Sequence, residues 1–298
     1  MKKEHMEFSG LTGYLWTPDV PPRATILALH GMTEHADRFD SFARAMTAEG
    51  IAVAAYDLRG HGRNGGEPDC AAMASGDWKR SIEDIDAALK QLRVMFPDGK
   101  LFLLGFSLGS FLVREYMQEP DPKMDAVILI GTGHQPKMLL KLIQSIVKSQ
   151  IRKVGFTGAS PLVRKLSFDS YNQKFRPNRT ESDWLCSDEG SLDRFLADPL
   201  RRRNIAAGTF YELLCAMERT GQPKANGPVP VLLLGGDRDP VGDFGKGTRA
   251  VERHLEYARY PVDCVIFPNA RHMLLQEEAG GQAREARTCI LNWINKHT

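Results

Sequence analysis

The chain has 298 residues, of which 42% are hydrophobic and 26% charged, and its formal net charge is +2. This is the composition of an ordinary globular protein, long enough for one large α/β domain or two small ones. The small net charge gives no bulk attraction to nucleic acid, and basic clusters are not interleaved with aromatic residues. We therefore predict no nucleic-acid partner.

The cysteines and the apolar runs indicate the cellular compartment of the protein. Five widely spaced cysteines form neither CxxC pairs nor a disulfide framework, which is typical of a reducing compartment. No signal-peptide core is present, and no run approaches the ~18 apolar residues of a membrane span. We predict a cytoplasmic protein of undetermined oligomeric state. Without clustered His and Cys ligands or an HExxH sequence, we predict no metal and no cofactor.

Short apolar strands alternate with helical patterns along most of the chain. Residues 5–17 are predicted to form a strand pair. The following strands are predicted at 24–29, 51–56, 100–106, 125–131, 229–235 and 262–267. The helices are predicted at 37–49, 77–96, 108–119, 245–258 and 276–296. This alternation predicts an α/β fold with a mostly parallel central sheet and helices on both faces.

The alternation stops between about 134 and 227, where helical patterns dominate. The stretch ends at a linker-like sequence over 221–228. We predict an α/β core formed by residues 1–133 and 228–298, with residues 134–227 inserted as a helical cap, or lid. In such sheets, binding sites lie at the carboxyl ends of the strands.

The strand at 100–106 ends in Gly-Phe-Ser-Leu-Gly at 105–109 and is followed directly by a helix. A Gly-x-Ser-x-Gly sequence between strand and helix is typical of a nucleophile elbow, in which the serine occupies a sharp turn. The two glycines remove side chains where strand and helix nearly collide. Ser107 is therefore the predicted nucleophile.

A serine nucleophile needs a base, and that base needs a carboxylate to orient it. In this architecture the acid and then the histidine follow the serine along the chain. Asp237 and Asp239 both follow the strand at 229–235, and sequence order alone does not choose between them. His272 follows the next strand and is the predicted base.

The loops beside the nucleophile predict an oxyanion hole. The backbone amides of Met32, after the strand at 24–29, and of Leu108, after the serine, are the predicted donors. His30 precedes Met32 and is interpreted as a brace for this loop.

Five sequence stretches together carry a family resemblance. They are His-Gly-Met-Thr-Glu-His-Ala-Asp-Arg-Phe at 30–39, Tyr-Asp-Leu-Arg-Gly-His-Gly-Arg at 56–63, the serine motif at 105–110, Asp-Pro-Val at 239–241 and Ala-Arg-His at 270–272. The chain resembles serine hydrolases of the α/β-hydrolase fold, and among them the monoacylglycerol lipase and lysophospholipase-like family. The match extends over nearly the full length.

The resemblance implies a carboxylic ester hydrolase that acts through an acyl-enzyme, on a small-molecule acyl ester such as a monoacylglycerol or lysophospholipid. It selects Asp239 as the acid, since the family pattern places the acid before an apolar pair. The chain departs from the family at Thr33, where a small residue is usual, at Asn64, where serine is common, and at Phe106, where histidine is usual. None of these departures removes a catalytic group.

The first cap helix is amphipathic and basic. Apolar residues recur at helical spacing, and we predict that Leu140, Ile143 and Val147 bind substrate by lining or covering an acyl channel. The lysines and Arg152 lie on another face, which is either merely solvated or contacts a membrane surface, as in other basic amphipathic helices. Transient membrane contact through the cap is compatible with a lid. The arginines at 201–203 are predicted to be a solvated cap surface.

Two other functions remain open on the sequence. The first is another acyl hydrolase on the same scaffold, such as a proline-releasing peptidase or a thioesterase. The second is a non-catalytic binding protein with a hydrolase fold, which we would expect to have lost a member of the triad.

Overall fold

The computed structural model describes residues 1–66, 69–224 and 229–298. The strands are β1 Lys2–Phe8, β2 Leu11–Thr17, β3 Ala24–Leu29, β4 Ile51–Tyr56, β5 Cys70–Ala71, β6 Lys100–Phe106, β7 Ala126–Ile130, β8 Asn204–Ile205, β9 Val231–Gly236 and β10 Val262–Phe267. The predicted α/β fold is confirmed. Each long strand lies within a few residues of its predicted position.

The described helices are α1 Asp40–Ala48, α2 Asp77–Met95, α3 Leu108–Tyr116, α4 Lys137–Val154, α5 Pro161–Arg164, α6 Ser170–Asn172, α7 Glu189–Ala197, α8 Ala207–Arg219, α9 Lys246–Tyr257 and α10 Gln282–His297. The last helix begins later than predicted because Gly281, with φ of +80°, precedes it. Among the described helices, none is both long enough and apolar enough to cross a bilayer.

The main sheet has eight strands in the order β1-β2-β4-β3-β6-β7-β9-β10. The strand pairs β1–β2 and β2–β4 are antiparallel, and every other neighbouring pair is parallel. The central strands are fully buried because helices cover both faces, which explains their continuous apolar sequences. The carboxyl ends of β3, β6, β9 and β10 therefore meet along one edge.

The predicted cap region contains α4 to α8 and one short strand, β8, that the sequence analysis did not predict. The two-residue strand β8 pairs with β5 of the core, and so ties the cap to the loop after β4. A two-residue strand has no periodicity, so the sequence does not reveal it. Part of the predicted linker at 221–228, residues 225–228, lies outside the described residues. The domain boundaries stay a prediction.

A buried arginine joins the cap region to the helix that follows Ser107. Arg114 of α3 donates hydrogen bonds to the carbonyl oxygens of Gly133 and Thr220, each at 2.9 Å. Gly133 directly precedes the predicted insertion, and Thr220 follows α8, its last described helix. Burial lowers the pKa of Arg114 to about 9. One buried side chain of α3 thus contacts the chain both before α4 and after α8.

Candidate active site

Ser107 occupies a strained turn between β6 and α3. Its backbone has φ of 51° and ψ of −116°, in a region that few residues with a side chain adopt. The turn requires its glycines. A Cβ on Gly105 would lie 2.6 Å from the carbonyl oxygen of Gly109, and one on Gly109 would lie 2.4 Å from that of Leu29. The strain therefore presents the Ser107 hydroxyl beyond the end of its strand.

The structure brings Ser107, His272 and Asp239 together. The Nε2 atom of His272 lies 2.8 Å from the Ser107 Oγ, and its Nδ1 atom lies 2.9 Å from an Asp239 carboxylate oxygen. Asp239 and His272 are only 1% and 2% exposed. A carboxylate can only accept, so Nδ1 carries a proton and Nε2 is left to accept the proton of the serine hydroxyl.

The two carboxylates after β9 have different surroundings. The other oxygen of Asp239 accepts a hydrogen bond from the Val241 amide at 2.8 Å, which fixes its carboxylate beside His272. Asp237 instead accepts from the Asn269 amide at 2.7 Å, and so joins the turns that follow β9 and β10. The carboxylate in contact with the imidazole is thus that of Asp239.

The predicted oxyanion amides stand at the ends of neighbouring strands. Leu108 is the first residue of α3, where a helix leaves its amides without intrahelical acceptors. Within the part of the chain that the structure describes, the Met32 amide makes no hydrogen bond. Thr33, beside it, has φ of 66°, a conformation better suited to glycine, which accounts for the small residue usual at this position.

His30 fixes the loop that carries Met32. Its Nδ1 donates to the Gly31 carbonyl at 2.7 Å, and its Nε2 accepts from the Leu58 amide at 2.9 Å. Complete burial lowers the pKa of His30 well below its usual value, with a further contribution from nearby His61. A neutral ring held by two backbone contacts fits the predicted brace.

Two aromatic rings contact the imidazole of His272. Phe106 has its ring centroid 5.0 Å away, and Trp184 has its centroid 5.1 Å away. Phe106 comes from β6, whereas Trp184 comes from the cap. Sequence reasoning missed Trp184, because no motif or spacing indicates that this part of the insertion reaches the histidine.

A cavity under the cap opens onto Ser107 and His272. Its apolar lining includes Met32, Phe106, Phe111, Leu139, Leu140, Ile143, Leu166, Phe168, Trp184, Leu185, Phe195, Phe210, Leu213, Leu214, Met217 and Val241. Leu140 and Ile143 line it, as expected. Val147 is not among the described lining residues and is completely buried, and the predicted role of these three residues in binding substrate stays a prediction.

The arginines at 201–203 also line the cavity, and their interpretation as a solvated surface holds for the exposed Arg203 but is wrong for the buried Arg202. Arg202 is only 8% exposed and donates to the Gly62 carbonyl at 2.5 Å. Arg201 pairs with Glu181 at 3.0 Å and has its guanidinium 4.9 Å from the Phe195 ring centroid. The cavity therefore combines an apolar wall with a group of charged side chains.

The outer face of α4 presents apolar side chains to solvent. Met138 is 87% exposed and Leu142 is 61% exposed. Lys141, Lys148 and Arg152 are exposed on the same helix. The helix thus has an inner face toward the cavity and an outer face that is both apolar and basic.

Comparison with known proteins identifies the family. Residues 20–279 match the family model described as serine aminopeptidase, S33. A monoacylglycerol lipase of Mycolicibacterium smegmatis is 24% identical, covering 99% of this chain and 98% of the relative. A putative monoglyceride lipase of Schizosaccharomyces pombe is 32% identical, covering 93% of this chain and 68% of the relative.

A solved structure shows the same fold. The carboxyl esterase of Bacillus coagulans, in complex with glycerol, superimposes with a TM-score of 0.86 at 22% identity, covering 99% of both chains. The chain belongs to the serine aminopeptidase S33 family, and it is a hydrolase of the lipase and esterase type with the α/β-hydrolase fold.

Proposed function

We propose that the protein hydrolyses carboxylic esters with apolar acyl chains, monoacylglycerols among them, and that Ser107, His272 and Asp239 carry out the reaction. The observation that carries the proposal is the pair of contacts at 2.8 Å and 2.9 Å that links serine, histidine and aspartate beneath an apolar cavity. The names of the curated relatives support this choice of substrate.

The proposed reaction has two steps. His272 takes the Ser107 proton as the oxygen attacks the acyl carbon, and the amides of Met32 and Leu108 hold the oxyanion. The protonated imidazole then donates its proton to the leaving alcohol, which departs and leaves an acyl-serine. Water, deprotonated by His272, attacks the acyl-serine. The bond to the Ser107 oxygen then breaks, that oxygen takes the proton back from the imidazolium, and the carboxylic acid is released. Asp239 orients the ring and stabilises its charged form throughout.

A substrate panel tests this function. The purified protein and Ser107→Ala are assayed with monooleoylglycerol, a lysophospholipid, an acyl thioester and an aminoacyl amide. We expect hydrolysis of the monoacylglycerol by the wild type and loss of turnover in the variant. Preference for the aminoacyl amide would favour the peptidase to which the family description refers. Turnover that survives in the folded Ser107→Ala variant would overturn the proposed nucleophile.

We also propose that the outer face of α4 contacts membrane surfaces transiently. Exposed apolar side chains such as Met138 and Leu142, beside lysines, are typical of helices that lie in a lipid interface. Replacing both with serine is expected to reduce cosedimentation with anionic vesicles, while hydrolysis of a water-soluble acetyl ester stays unchanged. Equal cosedimentation of the two proteins would exclude this contact.

The cellular site stays a prediction. The structure contains no disulfide among the five cysteines, and this supports a reducing compartment such as the cytoplasm.

A further inference from the structure

A segment of the cap is tied to the loop that carries His272. The Met273 amide donates to the Leu185 carbonyl at 2.6 Å. The Arg271 guanidinium donates to the Asp183 carbonyl, and also to that of Cys186 at 3.3 Å. These bonds come from Arg271 and Met273, which flank His272. The cap segment at 183–187 is therefore attached to the loop on both sides of the histidine.

The Glu277 carboxylate makes further hydrogen bonds that join the cap segment to the histidine loop. The carboxylate accepts from the Ser187 amide at 3.0 Å, from the Ser187 hydroxyl at 2.5 Å and from the Arg271 amide at 2.9 Å. Glu277 is completely buried. No lysine, arginine or histidine of the described ranges forms an ion pair with it. A buried carboxylate without a cation depends on such hydrogen bonds for its stability.

Trp184 lies within the segment that these bonds hold. Its amide donates to the Asn172 side chain at 3.2 Å, and its ring packs against Tyr171 with centroids 5.1 Å apart. On the side of the active site the same ring lies 5.1 Å from that of His272. A cap that lifted at 183–187 would therefore withdraw an aromatic contact from the proposed base.

We propose that Glu277 is a positioning residue for the hydrolysis proposed above, on which this inference rests. By joining Ser187 to Arg271, Glu277 holds Trp184 against His272 and so keeps the imidazole aligned between Ser107 and Asp239. The cap then serves the chemical step as well as substrate binding. A displacement of about 1 Å at a reacting group is enough to cost ~100-fold in rate.

The test compares Glu277→Gln with the matched control Glu278→Gln. Glutamine keeps the size of the Glu277 side chain, but its NH₂ group cannot accept hydrogen bonds from the Ser187 and Arg271 donors. Glu278 is the next residue, and its carboxylate pairs with Arg287 at 2.7 Å on the surface. The readouts are kcat and KM for a water-soluble acetyl ester, the rate of Ser107 labelling by a fluorophosphonate, and the thermal midpoint.

In Glu277→Gln we expect kcat and the labelling rate to fall roughly 10- to 100-fold with KM nearly unchanged. Glu278→Gln should match the wild type in all readouts. In a Trp184→Leu background, Glu277→Gln should have little further effect on kcat, because its influence on His272 passes through the indole. A purely structural glutamate would instead lower the thermal midpoint and act additively with Trp184→Leu.

If Glu277→Gln does not fold, Ser187→Ala is a milder test, because it removes only the hydrogen bond between the Ser187 hydroxyl and Glu277. A smaller decrease in kcat at constant KM is expected. A folded Glu277→Gln or Ser187→Ala protein with wild-type kcat and labelling rate would overturn this inference alone. An inactive, unlabelled wild-type protein would overturn the proposed function and the inference together.

Discussion

The sheet edge and the cap hold their functional side chains in different ways. At the edge, Ser107, Asp239 and His272 lie in the turns that follow parallel strands, and buried backbone contacts fix each of them. In the cap, the cavity residues come from several helices, and α4 exposes apolar side chains on its outer face. The comparison supports our proposals that the sheet edge carries out the chemistry, and that the cap selects the substrate and, through Trp184, supports the base.

The largest expected effect separates the two carboxylates after β9. Asp239→Asn should lower kcat by as much as ~10⁴-fold, because an amide beside His272 favours the wrong tautomer. Asp237→Asn should leave kcat near the wild-type value and lower the free energy of unfolding by about 1 kcal/mol, since it weakens only the bond to Asn269.

Steady-state kinetics and denaturant unfolding of both variants measure these effects. If Asp237→Asn were folded but inactive while Asp239→Asn stayed active, Asp237 would be the acid, and our assignment of Asp239 would be wrong.

A smaller effect is expected within the cap. Ile143 lines the cavity, so Ile143→Ala should reduce kcat/KM for a long-chain ester by up to roughly 30-fold, or about 2 kcal/mol of lost burial. The acetyl ester should be nearly unaffected. Val147 is the matched control, being one helical turn further along and fully buried outside the cavity lining. Val147→Ala should cost roughly 2 kcal/mol of stability without changing the preference for chain length.

A series of esters with increasing acyl length gives the measurement. Identical losses for long and short esters in Ile143→Ala would mean that α4 supports the fold without contacting the acyl chain.

The last expected effect is a pH dependence of stability that originates in the sheet-edge loops. Burial lowers the pKa of His61 to about 4, below the ~6.5 of an unfolded histidine. The unfolded chain then binds more protons between these values, so stability falls as the pH decreases through this window. His61 contributes at most about 1.4 kcal/mol per pH unit, and His30 adds to it in the same direction.

Urea unfolding at several pH values between these limits, for the wild type and His61→Asn, measures the slope. The variant should show a shallower decrease in stability toward acid. Parallel curves would mean that His61 is not a source of the acid sensitivity.

The sequence predicted the sheet and its edge well, because both depend on local signals. The run before Ser107 is apolar, and the turn needs glycines at 105 and 109, so strand, elbow and helix were all apparent. A contact between His272 and a carboxylate after β9 followed from the two neighbouring parallel strands, whereas the choice of Asp239 over Asp237 came from the family resemblance.

The cap was predicted only in outline. Helical periodicity indicated that α4 has a buried face, but not which buried residues reach the cavity, and Val147 was named beside Leu140 and Ile143 for that reason. Trp184, Glu277 and the strand pair β5–β8 act through contacts between segments distant in sequence. No local pattern encodes such contacts. The arginines at 201–203 looked like a surface run, yet neighbouring segments bury Arg202.

The most direct test of the account is covalent labelling with a fluorophosphonate, followed by intact mass measurement and peptide mapping. The probe reacts preferentially with a serine whose hydroxyl is activated beside an oxyanion site. We expect a single adduct on Ser107 in the wild type, no adduct in Ser107→Ala, and slower labelling in Asp239→Asn. An adduct on any other residue, or an active protein that is never labelled, would contradict the assignment of Ser107 as the nucleophile.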